Sequence, residues 1–289
     1  MGQQDTEQGP FVSGQFNSAA EVARITKRQQ LMIDNVGGLF PERCGLSSIQ
    51  RILDIACGPG IWALEVAFTY AQIEVVGIDP NRTNIRYAQA QAQAQNLENV
   101  DFQVMDALHG LDFSDHTFDL VNAQFIDDRV PISAWPTLLQ SCLRVLRPGG
   151  VMRITISELI VTNSAAYEEL LRLNMLALYK AGYGSSAHGY YSGTTAMLSH
   201  MLRQVGYQQV QQRAHVIDLS QGSKASQDNY ASFAVLMQLI KPFLLKMEVV
   251  TEDRFDVLYR EATINLLSDT YYGLWYFLTV WGEAPAGVM

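Results

Sequence analysis

The first half of the chain alternates short apolar runs with longer stretches of helical spacing. The runs of strand length lie at 52–56, 74–78, 100–105, 118–123 and 151–156. Helical patterns between them cover about 61–71, 81–96 and 133–146. Strands that alternate with helices in this way form a parallel sheet covered by helices on both faces. The pattern therefore predicts an α/β fold for this half of the chain.

The two flanks of this region have different patterns. Residues 1–18 are polar and predict a mobile arm, and residues 19–40 have helical spacing that ends near Gly37 and Gly38. After residue 160 the pattern becomes mainly helical, at about 164–182, 194–205, 229–247 and 251–268, with strand candidates at 210–219 and 274–280. We therefore divide the chain into an N-terminal arm with helices (1–50), a Rossmann-like core (51–160) and a third part (161–289). The third part holds helical cap insertions and the last two strands of the core sheet.

The sharpest local signal is the segment from Asp54 to Gly60, which follows the first strand directly and precedes a helix. Its glycines permit a tight turn and let the backbone approach a ligand. Asp79 ends the next strand, about twenty residues later, where an acidic side chain can bind the hydroxyls of a ribose. Asp106 follows the third strand and can accept a hydrogen bond from an adenine amine. Together these features predict a nucleoside site at the carboxyl ends of parallel strands, which makes 51–160 a cofactor-binding core.

The identity of the nucleoside is open at this level, because Gly58, Gly60 and Ala63 also satisfy the dinucleotide pattern G-x-G-x-x-A. Pro59 stiffens the turn where a pyrophosphate would need amide donors. The sequence also lacks the Tyr-x-x-x-Lys spacing expected of a dehydrogenase. An NAD(P)-dependent oxidoreductase is therefore the weaker alternative.

Five segments in order resemble the motifs of class I S-adenosylmethionine-dependent methyltransferases. They are residues 54–60, Asp79, 105–107, 118–121 and 146–150. Within that family the chain is similar to the ubiquinone- and menaquinone-biosynthesis-like enzymes and to small-molecule enzymes of natural-product pathways. The resemblance implies a Rossmann-like sheet of seven mostly parallel strands, whose last strand runs antiparallel. It also implies S-adenosyl-L-methionine as the cofactor.

The resemblance assigns the cofactor contacts residue by residue. Gly58 and Gly60 would line the methionine and ribose, with Ala56 and Asp54 in the same turn. Asp79 would bind the ribose hydroxyls and Pro80 would lie beside the adenine, which Asp106 and Ala107 would also contact. Asn122 and Gln124 would lie near the methionine end. Phe125, just beyond, falls where the family often positions the acceptor.

Acid–base chemistry is needed only if the acceptor must lose a proton. The candidate catalytic residues are His188 in a glycine-rich loop, Glu158 at the end of the fifth strand and His215 on a late strand. Tyr190 and Tyr191 are further candidates for contact with the substrate. Asp127 and Asp128 are interpreted as a solvated turn or helix cap before Pro131, with contact to the substrate or a divalent ion as the alternative. No metal site is predicted.

Composition limits the class of acceptor molecule and the cellular compartment that the sequence predicts. The net charge of −9 argues against a nucleic-acid acceptor, because phosphate binding needs a basic surface. The three cysteines form neither a CxxC pair nor a disulfide pattern, so a reducing cytoplasm is expected. The apolar runs are too short to span a membrane, and the N-terminus does not have the pattern of a signal peptide. A homodimer is one option that the sequence leaves open.

The sequence thus predicts a methyltransferase acting on a small organic acceptor, in secondary or quinone-type metabolism. A first alternative is a protein of the same fold that binds S-adenosylmethionine but catalyses a cyclisation or another pericyclic step. The NAD(P)-dependent oxidoreductase and a non-catalytic partner subunit are the others.

Overall fold

The computed structural model describes residues 18–42 and 48–286. Residues 1–17 of the predicted arm lie outside the described residues, and so does Cys44. Within the described ranges, no helix is both long and apolar enough to cross a membrane.

One mixed sheet organises the chain. Its strands are β1 (Arg51–Ile55), β2 (Glu74–Asp79), β3 (Val100–Val104), β4 (Phe118–Gln124), β5 (Leu146–Ser157), β6 (Val161–Thr162), β7 (Gln208–Asp218) and β8 (Gly273–Glu283). The order is β3-β2-β1-β4-β5-β8, with β7 and the two-residue β6 both paired to β8. The first five strands of this order are mutually parallel, and β8 runs antiparallel to both β5 and β7. The predicted fold class is confirmed; β6 is an additional short strand that the sequence pattern did not indicate.

Eight α-helices accompany the sheet in the described part of the chain. They are α1 (Ala19–Val36), α2 (Ile61–Thr69), α3 (Arg82–Ala94), α4 (Trp135–Val145), α5 (Ala165–Lys180), α6 (Thr194–Val205), α7 (Ser226–Lys246) and α8 (Glu252–Leu266). Local sequence explains both ends of α1. Ser18 accepts a hydrogen bond from the Glu21 backbone at its start, and Gly37 ends the helix with a φ of 97°. The helix predicted to begin at residue 19 and to end near Gly37 and Gly38 is therefore confirmed.

The hydrophobic core has separate parts that correspond to the sheet and the cap. Apolar side chains of β1, β4, β5, α4 and α6 form one cluster, and those of α2 and α3 form another around Phe102. Helices α5, α7 and α8 form a third cluster of their own around Phe233 and Phe255. Helices α7 and α8 lie between β7 and β8 in the chain and are an insertion between the last two strands, whereas α5 of the same cap precedes β7.

Candidate cofactor and acceptor site

The turn after β1 adopts the unusual backbone that its sequence suggests. Ala56, Gly58 and Gly60 all have positive φ, at 52°, 58° and 80°. Glycine reaches this region freely, whereas for Ala56 it carries a steric cost that tertiary contacts must hold in place. The Cys57 amide donates to the Ile78 carbonyl at 2.9 Å, which fixes the turn to the end of β2.

Asp79 fastens the same turn from the neighbouring strand. Its Oδ2 accepts from the Gly58 amide at 3.0 Å, and its Oδ1 accepts from the Asn81 amide at 2.9 Å and the Asn84 side chain at 3.2 Å. The carboxylate is 1% exposed. Since each carboxylate oxygen accepts about two hydrogen bonds, only Oδ2 keeps a free position. The ribose contact stays a prediction, and the structure adds a function that the sequence did not suggest: Asp79 shapes the turn.

Gly60 and Gly77 are required by packing. A Cβ at Gly60 would lie 2.7 Å from the Phe102 ring and 2.8 Å from Ala88, and a Cβ at Gly77 would lie 2.6 Å from the same ring. Phe102 can therefore fill the space behind the turn only because both positions lack a side chain. The contact predicted between Gly60 and the cofactor remains a prediction about its backbone.

The predicted adenine end lies at the surface. Asp106 begins the short 3-10 helix Ala107–His109 by accepting from the Leu108 amide at 3.0 Å, and its other oxygen lies 2.8 Å from Nδ1 of His109. His109, which the sequence gave no reason to single out, is thus the partner of a predicted cofactor residue. Pro80 is exposed and Ala107 is half-buried, so both are accessible to an adenine ring.

Asp54 belongs to a row of polar side chains that crosses three strands. It is paired in register with Asn122, and Asn122 with Arg153. The Asn122 amide donates to Asp54 at 2.7 Å and accepts from Arg153 at 2.8 Å, and Arg153 forms an ion pair with Glu42 at 2.5 Å. Burial raises the pKa of Asp54 to about 7, against the opposing effects of the Asn122 hydrogen bond and the Arg153 charge. Asp54 and Asn122 thus have structural partners, and their cofactor contacts stay predictions.

Gln124 has the opposite environment. Its side chain is 6% exposed, and neither its amide nitrogen nor its amide oxygen has a hydrogen-bond partner among the described residues. The buried amide oxygen of Gln29 on α1 also lacks a partner there. Buried polar atoms without partners are rare in native proteins and call for an explanation. At the end of β4 these atoms are suited to a polar ligand group, such as the ammonium or carboxylate of a methionine moiety.

A partly open cavity of about 350 Å³ lies at the ends of β4 and β5, where Phe125, Ser157 and Glu158 line it. It is bounded by α1, α5 and α7, by the segment after β4 and by the end of β5. Most of its wall is apolar: Leu31, Phe125, Leu159, Ile160, Tyr167, Leu171, Met175, Phe233, Leu236 and Trp275. Phe125 has a φ of 55° and its ring stacks on Trp275, so the left-handed backbone directs an aromatic side chain into the wall.

Charged side chains occupy one part of the cavity wall. Glu21 and Arg24 form a buried two-point ion pair at 2.6 and 2.8 Å, and Lys27 binds Asp228 of α7 at 2.9 Å. Asp127 also lines the cavity, and burial followed by repulsion from Asp128 raises its pKa to about 7. The predicted turn at Asp127 and Asp128 is present, with both residues half-buried, and both also line the cavity.

The predicted catalytic and substrate residues separate into two groups. Glu158 and Phe125 line the cavity, although Glu158 is already bound by the Ser192 amide at 2.9 Å and by the Thr195 hydroxyl. His188, Tyr190 and Tyr191 are exposed, the tyrosines by 70% and 55%. The glycine-rich loop turns these three side chains outward, and only Ser192 of the same loop contributes to the cavity wall. The structure thus gives His188 and both tyrosines no contact with the described cavity.

His215 has an intermediate position. It is 8% exposed on β7, its Nε2 has no hydrogen-bond partner in the described chain, and burial lowers its pKa. It is not part of the described cavity wall, so its catalytic function remains a prediction without geometric support.

Residues 52–150 match a family model described as a methyltransferase domain. The match includes the turn after β1, Asp79 and Asp106, and the sheet around it has the order and the antiparallel last strand expected of class I. Residues 52–150 of the chain form a methyltransferase domain. Among curated relatives, the O-methyltransferase resE of Aspergillus sclerotiorum is 36% identical over 118 residues, which are 40% of this chain and 42% of that protein.

Other relatives also match over part of their length. A ubiquinone biosynthesis O-methyltransferase of Rhizobium johnstonii is 35% identical over 103 residues, 35% of this chain and 39% of that protein. The chain therefore aligns with less than half of each of these two relatives.

Solved structures extend the likeness of the fold to nearly the whole chain. Haemonchus contortus phosphoethanolamine N-methyltransferase 2, solved with S-adenosyl-L-methionine, has a TM-score of 0.59 at 16% identity, covering 99% of this chain and 61% of that one. The [4+2]-cyclase SpnF has a TM-score of 0.52 at 18% identity, covering 93% and 97%. At such identities the likeness shows the fold alone.

Proposed function

We propose that this protein transfers a methyl group from S-adenosyl-L-methionine to a small, mostly apolar organic acceptor. The observation that carries the proposal is that α1 forms a common wall of two adjoining sites. Ile25 of α1 is the nearest side chain to the open side of Gly58, at 3.8 Å from a Cβ built there. On the same helix, Arg24, directly before Ile25, and Arg28, about one turn after it, line the apolar cavity. A donor in the turn and an acceptor in the cavity would therefore meet at the ends of β1 and β4.

The residues present fit the cofactor. The unpartnered amide of Gln124 can bind the methionine end, Asp79 keeps one free acceptor position for a ribose hydroxyl, and Asp106 is available to the adenine amine. The cofactor, when bound, supplies an electrophilic methyl group. Alignment of two reactants at adjoining sites lowers a barrier by about 7–11 kcal/mol in favourable cases.

Proton removal from the acceptor falls to Asp127 in this proposal. A carboxyl with a pKa of about 7 exchanges a proton readily near neutral pH. Glu158, held by Ser192 and Thr195, instead positions the loop that begins α6. The apolar walls keep water from the reacting atoms.

The experiment has a binding step and a chemical step. Calorimetry with S-adenosylhomocysteine tests the cofactor site, with NADH titrated as the comparison. The protein is then incubated with S-adenosylmethionine and a mixture of phenolic and carboxylic acceptors, and S-adenosylhomocysteine formation is measured together with methylated product. Binding without turnover would favour the cyclase-type alternative, and binding of NADH alone would contradict the proposal. The quinone or secondary-metabolite setting, the cytoplasmic location and the homodimer stay predictions.

A further inference from the structure

Arg28 differs from the other cations of the cavity wall. Arg24 is bound at two points by Glu21, Lys27 by Asp228, and Arg129 lies 3.7 Å from Asp128. Arg28 forms no ion pair or hydrogen bond with any described side chain, and its Nε is buried without a partner. Burial of this N–H costs free energy, because it has lost water and gained no acceptor.

The surroundings of Arg28 hold it in the cavity. Its Cζ lies 4.2 Å from the centre of the Phe125 ring, and Phe125 is in turn fixed against Trp275 and Phe277. Stacking on an aromatic face orients the guanidinium plane and leaves its edge free for a planar acceptor. Burial, followed by repulsion from Arg24, lowers the pKa of Arg28 to about 9, with Asp128 opposing the shift. An anionic partner would relieve this destabilisation.

We infer that Arg28 is the anchor for a carboxylate on the acceptor, so that the substrate class is an apolar organic acid. This inference rests on the proposed function, because it concerns the acceptor side of the same site. The walls around Phe233 and Trp275 accept the apolar body, and the guanidinium edge accepts the two oxygens of the carboxylate in a fork-to-fork pair. The carboxylate is assigned to the acceptor because residues of α5 and α7 line the same cavity as Arg28, whereas neither Gly58 nor Asp79 is in its described wall.

The test uses matched probe pairs and needs no natural substrate. Naphthalene-2-carboxylate and a set of aryl and alkyl carboxylates are titrated into the full-length protein, each beside its primary amide of nearly equal shape. The wild-type protein should bind the carboxylates about tenfold or more tightly than the amides, because a hydrogen bond to a charged partner contributes about 1.5–3 kcal/mol. In Arg28→Met this preference should vanish. In Arg28→Lys, which keeps the charge and loses the fork, it should shrink.

Two controls locate the effect. Lys246→Met removes an exposed cation of α7 that does not line the described cavity, and should leave the carboxylate preference unchanged. S-adenosylhomocysteine is titrated into the same variants, and its affinity should not change in Arg28→Met. Folding is checked by thermal denaturation; replacement of an unpaired buried charge by Met is expected to preserve it.

Three outcomes would overturn the inference. Equal binding of amides and carboxylates would show that Arg28 does not recognise a carboxylate. Failure of every carboxylate to bind would show the same. Loss of S-adenosylhomocysteine affinity in Arg28→Met, with carboxylate binding intact, would assign Arg28 to the methionine end of the cofactor. A wild-type protein that binds the carboxylates and no S-adenosylhomocysteine would contradict the proposed function and leave the carboxylate anchor standing.

Discussion

Asp127 should make the protein less stable as the pH rises, and Asp127→Asn should remove that loss. Its pKa of about 7 in the folded chain lies above the ordinary 3.8, mainly because of burial and then of the Asp128 charge. Between these two values the folded state binds more protons than the unfolded state, so the free energy of unfolding falls as the pH rises. Below the window Asp127 is neutral in both states and the variant should match the wild type. Above it, the variant should be more stable by about 1–4 kcal/mol, since each pKa unit corresponds to about 1.36 kcal/mol.

Urea denaturation at about pH 4, 6 and 8 measures this difference. Asp54, whose pKa is also raised, lowers the stability of both proteins alike, so only their difference reports on Asp127. Arg28 and Glu158 act on the Asp127 carboxyl in opposite directions, and both are unchanged in the variant. Asp112→Asn, a change at an exposed carboxylate, is the matched control and should show no pH-dependent gain. A variant less stable than the wild type at about pH 8, or a difference that does not vary with pH, would refute the reasoning.

Three further variants test the site and its support. Asp79→Ala should weaken S-adenosylhomocysteine binding by about 1–3 kcal/mol in calorimetry and also lower Tm, because it leaves three donors without their acceptor. Asn84→Ala removes only one of these donors, so it should lower Tm with little change in affinity for S-adenosylhomocysteine. Gly77→Ala should destabilise by about 1–3 kcal/mol in thermal denaturation, because its Cβ would lie 2.6 Å from Phe102, and Phe102→Leu in the same chain should recover part of that loss. Arg153→Met should destabilise by about 3–5 kcal/mol in urea denaturation by stranding buried Glu42; a change under about 1 kcal/mol would mean that the ion pair contributes little.

The sheet could be predicted because its cues are local. Apolar runs of five or six residues, each followed by a helical pattern, indicate parallel strands before any contact is known. The class I resemblance then supplied the antiparallel last strand and the seven-strand count. The strand β6 escaped because two residues, Val161 and Thr162, give no periodicity. The beginning of β5 at Leu146 escaped because Pro148, Gly149 and Gly150 indicate a turn.

The site could be predicted only where function depends on backbone shape. Gly58 and Asp79 are recognisable because a tight turn and a strand end place them by sequence distance alone. Side-chain direction could not be predicted: the chemistry of His188, Tyr190 and Tyr191 makes them candidates, whereas the loop turns them to solvent. The turn at Asp127 is recognisable from the sequence, but its place in a cavity wall depends on α1 and α7, which are distant in sequence.

Helix α1 shows why such contacts escape a sequence pattern. Glu21, Arg24 and Arg28 follow one another at helical spacing, which on a surface helix indicates a solvated stripe of ion pairs. In this protein the stripe of Glu21, Arg24 and Arg28 faces the cavity. Ile25 packs near Gly58 in the turn after β1, which places α1 against the end of the sheet. The same face that would be solvated on an isolated helix therefore becomes the polar part of an apolar cavity. The position of α1 against the sheet therefore determines which polar groups the acceptor molecule meets. A substitution at Ile25 is expected to change the binding of the cofactor and of the acceptor molecule together.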